Sequence, residues 1–177
     1  MAKRDKFKCS VCDKNHGYYK QLIVPPPSVI TQMPEEEKAD RLVQYDQFFV
    51  LDSTRIFLKG YFNIEADNEP SPAFSIEAWV EVKAMDFLSS REKLQAEESV
   101  TFNGELSVDI YLYPEMEGAD IDVILDPAAN DGLVYFSPIQ DCQLKSDQGA
   151  PLSEVAYRKL MEKIFHAGEL PNVDANL

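Results

Sequence analysis

The residues best suited to chemistry lie near the amino terminus, where Cys9-Ser10-Val11-Cys12 is followed four residues later by His16. Two cysteines three apart can turn both sulfurs into one tight bend whose backbone amides face them, an arrangement that grips a soft metal ion. Zinc takes four ligands, and a structural zinc site is usually closed by a second pair. Cys9, Cys12 and His16 are therefore the candidate metal ligands, and zinc is the candidate ion. No second pair follows along the chain. Cys142 and His166 are the remaining soft side chains, and spacing alone places neither beside the knuckle. Without metal, the same residues would make a bare knuckle-shaped turn. A thiol–disulfide role would want the Cys-x-x-Cys to open a helix in a β-α-β pattern, and the sequence offers neither.

Other chemistry finds less support. Asp120 and Asp122 alternate along one strand face with Asp126 beyond, a row that can hold a divalent cation. A strand with one face in water displays such rows routinely, and no general base accompanies this one. His16 and His166 are the two histidines, and neither sits in a pattern that suggests a Ser-His-Asp triad. His166 is accounted for by a favourable interaction with the carboxyl end of a helix. Tyr18 and Tyr19 beside the basic start could stack on bases, but Tyr-Tyr leading into Leu22-Ile23-Val24 reads better as a strand entering the core.

These residues need elements to position them. Pro25-Pro26-Pro27 favours an extended segment. A short helix follows, with Pro34 in its first turn, Glu35, Glu36 and Glu37 at the positive end of its dipole, and Ala39, Leu42 and Val43 as a narrow apolar stripe. From Arg55 to Glu65, Ile56, Leu58, Phe62 and Ile64 share one face, with Gly60 marking a bend. After the polar turn Asp67 to Pro72, Phe74, Ile76, Ala78, Val80 and Val82 alternate with Ser75, Glu77, Trp79 and Glu81, which predicts an antiparallel hairpin. Further strands are expected over Leu106–Tyr113, Ile121–Leu125 and Leu133–Phe136, the last entered through Asn130-Asp131-Gly132. The charged segment Asp86–Glu98 is a helix or an ordered loop.

The carboxyl end carries the strongest helical pattern. Leu152, Val155, Ala156, Leu160, Ile164 and Phe165 form its apolar stripe, with Glu154, Arg158, Lys159, Glu162 and Lys163 outside. Ser153 and Gly168 are the expected caps. Helices around a mostly antiparallel sheet define a single α+β domain over residues 1–177: a knuckle and extended segment over 1–33, and a body over 34–168.

If the β-rich core lies under Ile56, Leu58, Phe62 and Ile64, then Phe57, Tyr61 and Trp79 face the other way, among Arg55, Lys59, Glu77 and Glu81. Either a helix or the amino-terminal segment covers them, or they are the anchors of a binding patch. Charge bears on the choice of partner. Residues 1–20 hold six basic and two acidic side chains, leaving −18 on the other 157 residues to give the total of −14. Such a body repels phosphate backbones and anionic lipid, so a basic protein partner is expected, with neither nucleic acid nor membrane. The apolar runs are too short to span a bilayer. The amino terminus runs into no signal-like stretch, and three cysteines make no disulfide framework, so a cytoplasmic setting is expected.

Taken together, Phe7-x-Cys9-x-x-Cys12-x-x-x-His16, the block from Asp46 to Asp52, Phe57-Leu58-Lys59-Gly60-Tyr61-Phe62-Asn63-Ile64 and Phe74-Ser75-Ile76-Glu77-Ala78-Trp79-Val80-Glu81-Val82 resemble the bacterial domain-of-unknown-function family numbered 2199. The family pattern has Gly after the second Cys and Arg before the strand Gly, where this chain has Asp13 and Lys59. Asp tolerates the left-handed backbone that such a Gly adopts, so the turn can survive. The resemblance implies the fold and a bacterial origin, and it implies no catalytic residues. Three roles stand open on the sequence: a non-catalytic acidic protein-binding module of inhibitor or immunity type, a small zinc-stabilised module, and an enzyme whose site is not recognisable.

Overall fold

A computed structural model describes residues 6–127 and 134–167. The chain begins with β1 (Lys6–Lys8), β2 (Asn15–Gly17), β3 (Gln21–Ile23), α1 (Ser28–Thr31), α2 (Glu35–Arg41), β4 (Leu42–Gln44) and β5 (Phe48–Leu51). The two long strands β6 (Arg55–Ile64) and β7 (Phe74–Lys83) come next, then α3 (Ala84–Gln95), β8 (Val100–Leu106), β9 (Asp120–Leu125) and β10 (Val134–Pro138). Two helices end the described chain, α4 (Gln143–Gly149) and α5 (Glu154–His166). The result is one α+β domain, mostly antiparallel, with the knuckle at its start and a helix at its end.

The centre is a closed five-stranded barrel. β6, β7, β8, β9 and β10 pair antiparallel in succession, and β10 returns to β6 in parallel at Tyr135 and Tyr61. The expected hairpin runs from Arg55 opposite Lys83 to Ile64 opposite Phe74. Its inward residues Ile56, Leu58, Phe62, Ile64, Phe74, Ile76, Ala78, Val80 and Val82 all lie in the main core, as the alternation predicts. β6 serves two partners on one edge, β5 through its first half and β10 through its second. Gly60 marks the change-over. A Cβ there would come within 2.6 Å of Phe136 Cζ and 2.7 Å of the Val134 carbonyl oxygen, so a side chain would hold β10 off and open the barrel.

Several expectations shift. The third strand covers Val100–Leu106 instead of Leu106–Tyr113. Asn103-Gly104 looks like a turn in the sequence, yet both residues lie inside β8, where Gly104 pairs with Val82 and Ile121. The apolar residues after it, Ile110, Leu112 and Tyr113, are buried without a strand, in a segment that packs on the core through its 3-10 turn Pro114–Met116. The charged Asp86–Glu98 stretch is helical through Gln95, in α3. α2 buries none of its residues, Val43 is exposed, and Leu42–Gln44 is an edge strand, so the expected Ala39, Leu42, Val43 stripe does not form. The Asn130-Asp131-Gly132 turn, Leu133 and the Gly168 cap lie outside the described residues.

α5 is capped by Ser153, whose hydroxyl accepts from the Ala156 amide. Its buried face is Tyr157, Leu160, Met161 and Ile164, while Val155 is 64% exposed. The true stripe is rotated by part of a turn because Tyr157 and Met161 supply apolar surface that an aliphatic count overlooks. The Tyr157 hydroxyl donates to the Ala73 carbonyl, fixing the helix over the entry to β7.

Phe57 and Trp79 are not surface anchors. Phe57 is fully buried and Trp79 is 5% exposed, in a second apolar cluster with Ile30, Met33, Phe49 and Leu51. α1 and β5 cover this face of the hairpin, and Trp79 stacks on Phe49 with ring centres 4.6 Å apart. Tyr61, half-buried, donates to Glu77.

Candidate metal centre

β1 and β2 form a two-stranded ribbon, pairing Phe7 with His16, and Cys9 to Lys14 make the bend between them. The Cys9 amide donates to the Lys14 carbonyl, and the Asp13 amide donates back to the Cys9 carbonyl. Asp13 has φ of 58°, a left-handed backbone that Asp tolerates. The Val11 amide points at Cys9 Sγ from 3.3 Å, as a knuckle of this shape requires.

The ribbon and the two tyrosines that follow it pack along α5 through aromatic rings. His16 stacks on Phe165 at 4.1 Å, Tyr19 on Phe165 at 4.6 Å and Tyr18 on Tyr157 at 5.3 Å. This docking brings up a fourth soft ligand. Cys9, Cys12, His16 and His166 place one ligand atom each within 4.8 Å of all the others. Cys9 Sγ lies 3.1 Å from His166 Nε2, and Cys12 Sγ lies 3.0 Å from His16 Nε2. Cys9 is buried, Cys12 and His16 are half-buried, and His166 is exposed at the rim.

These distances bracket those of a tetrahedral ion. With Zn–S near 2.3 Å and Zn–N near 2.0–2.1 Å, the edges of a ligand tetrahedron are about 3.3–3.8 Å. The two close sulfur–nitrogen pairs would open by about half an ångström, and any pair near the 4.8 Å limit would close by about one. Burial alone would push the Cys9 thiol up. The Cys12 and Val11 amides and the His166 ring outweigh it and hold that thiol below its ordinary value, which favours the thiolate that a metal binds.

A second contact ties α5 to the knuckle. Both oxygens of Glu162 engage Ser10, between the two cysteines: Oε1 accepts from the Ser10 amide at 2.6 Å, and Oε2 from its hydroxyl at 2.9 Å. Glu162 is 8% exposed, not on the solvent side of the helix as its charge suggests. The Ser10 amide holds its carboxyl below the ordinary range, against the upward push of burial, with the Ser10 hydroxyl assisting.

The structure therefore joins Cys9, Cys12 and His16 as their spacing suggests, and it adds His166. The sequence signal for His166 is present but thin: it is one of two soft side chains left over, and it follows Glu162 by one helical turn. Cys142 lies elsewhere, as the N-cap of α4, with its sulfur 3.4 Å from Met116 Sδ. Asp120 and Asp122 sit on the outer barrel face, opposite Glu105 and Asn103, and Asp126 accepts from Ser99. Among the described residues, the group placed to hold a metal ion is the Cys/His cluster. None of the described helices is long and apolar enough to cross a membrane.

Barrel and knuckle together define an α+β domain with a candidate two-cysteine, two-histidine metal centre. The chain belongs to the family described as uncharacterized proteins conserved in bacteria (DUF2199), which matches residues 8–150. The match contains Cys9, Cys12 and His16 and stops short of Glu162 and His166. No curated protein and no solved structure matches the chain.

Proposed function

We propose that the protein is a zinc-clasped, non-catalytic module in which Cys9, Cys12, His16 and His166 hold one Zn²⁺ and fasten the amino-terminal ribbon to the last helix. The observation that carries this reading is the convergence of two sulfurs and two imidazole nitrogens within 4.8 Å, from segments 150 residues and more apart. A mixed sulfur and imidazole set suits zinc over the hard cations, which prefer oxygen. Four protein ligands leave no open position for water or substrate, the arrangement of a structural site. Three cysteines without a disulfide among them suit a reducing compartment, in keeping with a cytoplasmic setting.

The role of the module is read from its charge. The −18 carried beyond residue 20 suits electrostatic steering of a basic protein partner, as for an inhibitor- or immunity-type protein. Phe57 and Trp79 belong to the interior in this reading, so any anchors for that partner come from other residues.

Zinc content tests the proposal. Protein purified without chelator or metal-affinity tag should carry close to one equivalent of zinc per chain, and less than about a tenth of an equivalent would refute a structural site.

A further inference from the structure

We infer that Glu162 is a positioning residue that sets the metal site by holding the knuckle in register with α5, an inference that rests on the zinc reading above. Glu162 and His166 are one turn apart on α5, so they project from one face of the helix. His166 reaches Cys9 Sγ, while Glu162 takes both polar groups of Ser10, the residue next to Cys9. The two contacts fix two neighbouring points of the knuckle to two neighbouring points of the helix. A slip of the helix that removed the fourth ligand would also strip a buried carboxylate of its partners, which is costly. The ribbon's aromatic packing alone has no such directionality, since stacked rings tolerate sliding. Outer groups that orient metal ligands in this way typically govern affinity by about 10–100-fold.

The geometry also separates charge from shape. A glutamine at this position can accept from the Ser10 amide through its carbonyl and donate to the Ser10 hydroxyl through its amide, keeping both bonds. An alanine keeps neither. The test uses the full chain, with Zn²⁺ affinity measured by competition against a chromophoric chelator. Co²⁺ loading follows ligand geometry through its visible absorption, and melting of the metal-free protein gives the structural baseline. Glu162→Ala is expected to weaken Zn²⁺ binding about 10–100-fold and to alter the Co²⁺ spectrum. Glu162→Gln should stay within about threefold of wild type, and Ser10→Ala, which loses only the hydroxyl bond, should fall between the two.

Three results would overturn the inference. Zn²⁺ affinity within about twofold of wild type in Glu162→Ala, with only the metal-free melting temperature lowered, would make the contact merely structural. A Glu162→Gln protein as impaired as Glu162→Ala would show that charge acts and not the Ser10 contacts. A wild-type protein that binds neither ion would remove the zinc reading itself, whereas normal wild-type binding with insensitive variants removes the positioning role alone.

Discussion

Cys9→Ala protein is expected to purify without stoichiometric zinc and to melt well below the wild type. A ligand bound only by the folded state stabilises it by about 4 kcal/mol when its free concentration stands about 1,000-fold above Kd. For a chain of this size that corresponds to a shift of about 8 to 16 °C. The cavity cost of the substitution is smaller, because only the sulfur is lost from a small side chain; it adds about 1 kcal/mol. Chelator separates the two contributions. It should bring the wild type down to within about 1 kcal/mol of the variant and leave the variant where it was. The barrel should persist in both, since Phe62, Phe74, Ile76, Ile121 and Phe136 come from its own strands and Cys9 joins their cluster from the knuckle. Equal melting temperatures for wild type and variant, with and without chelator, would contradict the clasp.

The second large effect concerns Trp79. Trp79→Ala should cost about 3–5 kcal/mol, or about 6 to 20 °C in melting temperature, because it empties the centre of the cluster formed with Ile30, Met33, Phe49, Leu51 and Phe57. Trp79→Phe should cost well under half of that. The buried indole N–H has no acceptor among the described residues, so phenylalanine forfeits no hydrogen bond while keeping a ring against Phe49. Thermal or denaturant unfolding of both variants checks this. A Trp79→Ala protein as stable as wild type would mean that the residue is not a core element.

The hairpin and the site were legible in the sequence to different degrees, for physical reasons. Alternation over Phe74 to Val82 specifies both a strand and its buried face, because a one-residue slip would turn the whole apolar set outward. Trp79 and Phe57 occupy the other face, and what covers that face is a tertiary fact: α1 and β5 close over it. β8 lies ahead of the expected Leu106–Tyr113 strand, and its Gly104 is admitted there because β7 presses close. In the site, three candidate ligands share one short ribbon, and their spacing alone announces them. His166 and Glu162 meet the knuckle only after the barrel has brought α5 to it. Their types suit a helix end equally well, so nothing local sets them apart.

X-ray absorption at the zinc edge tests the clasp most directly. The account predicts a first shell of two sulfurs at about 2.3 Å and two imidazole nitrogens at about 2.0–2.1 Å, with one of the nitrogens lost in His166→Ala. A shell with more than two sulfurs, a shell dominated by oxygen, or one unchanged by His166→Ala would contradict it.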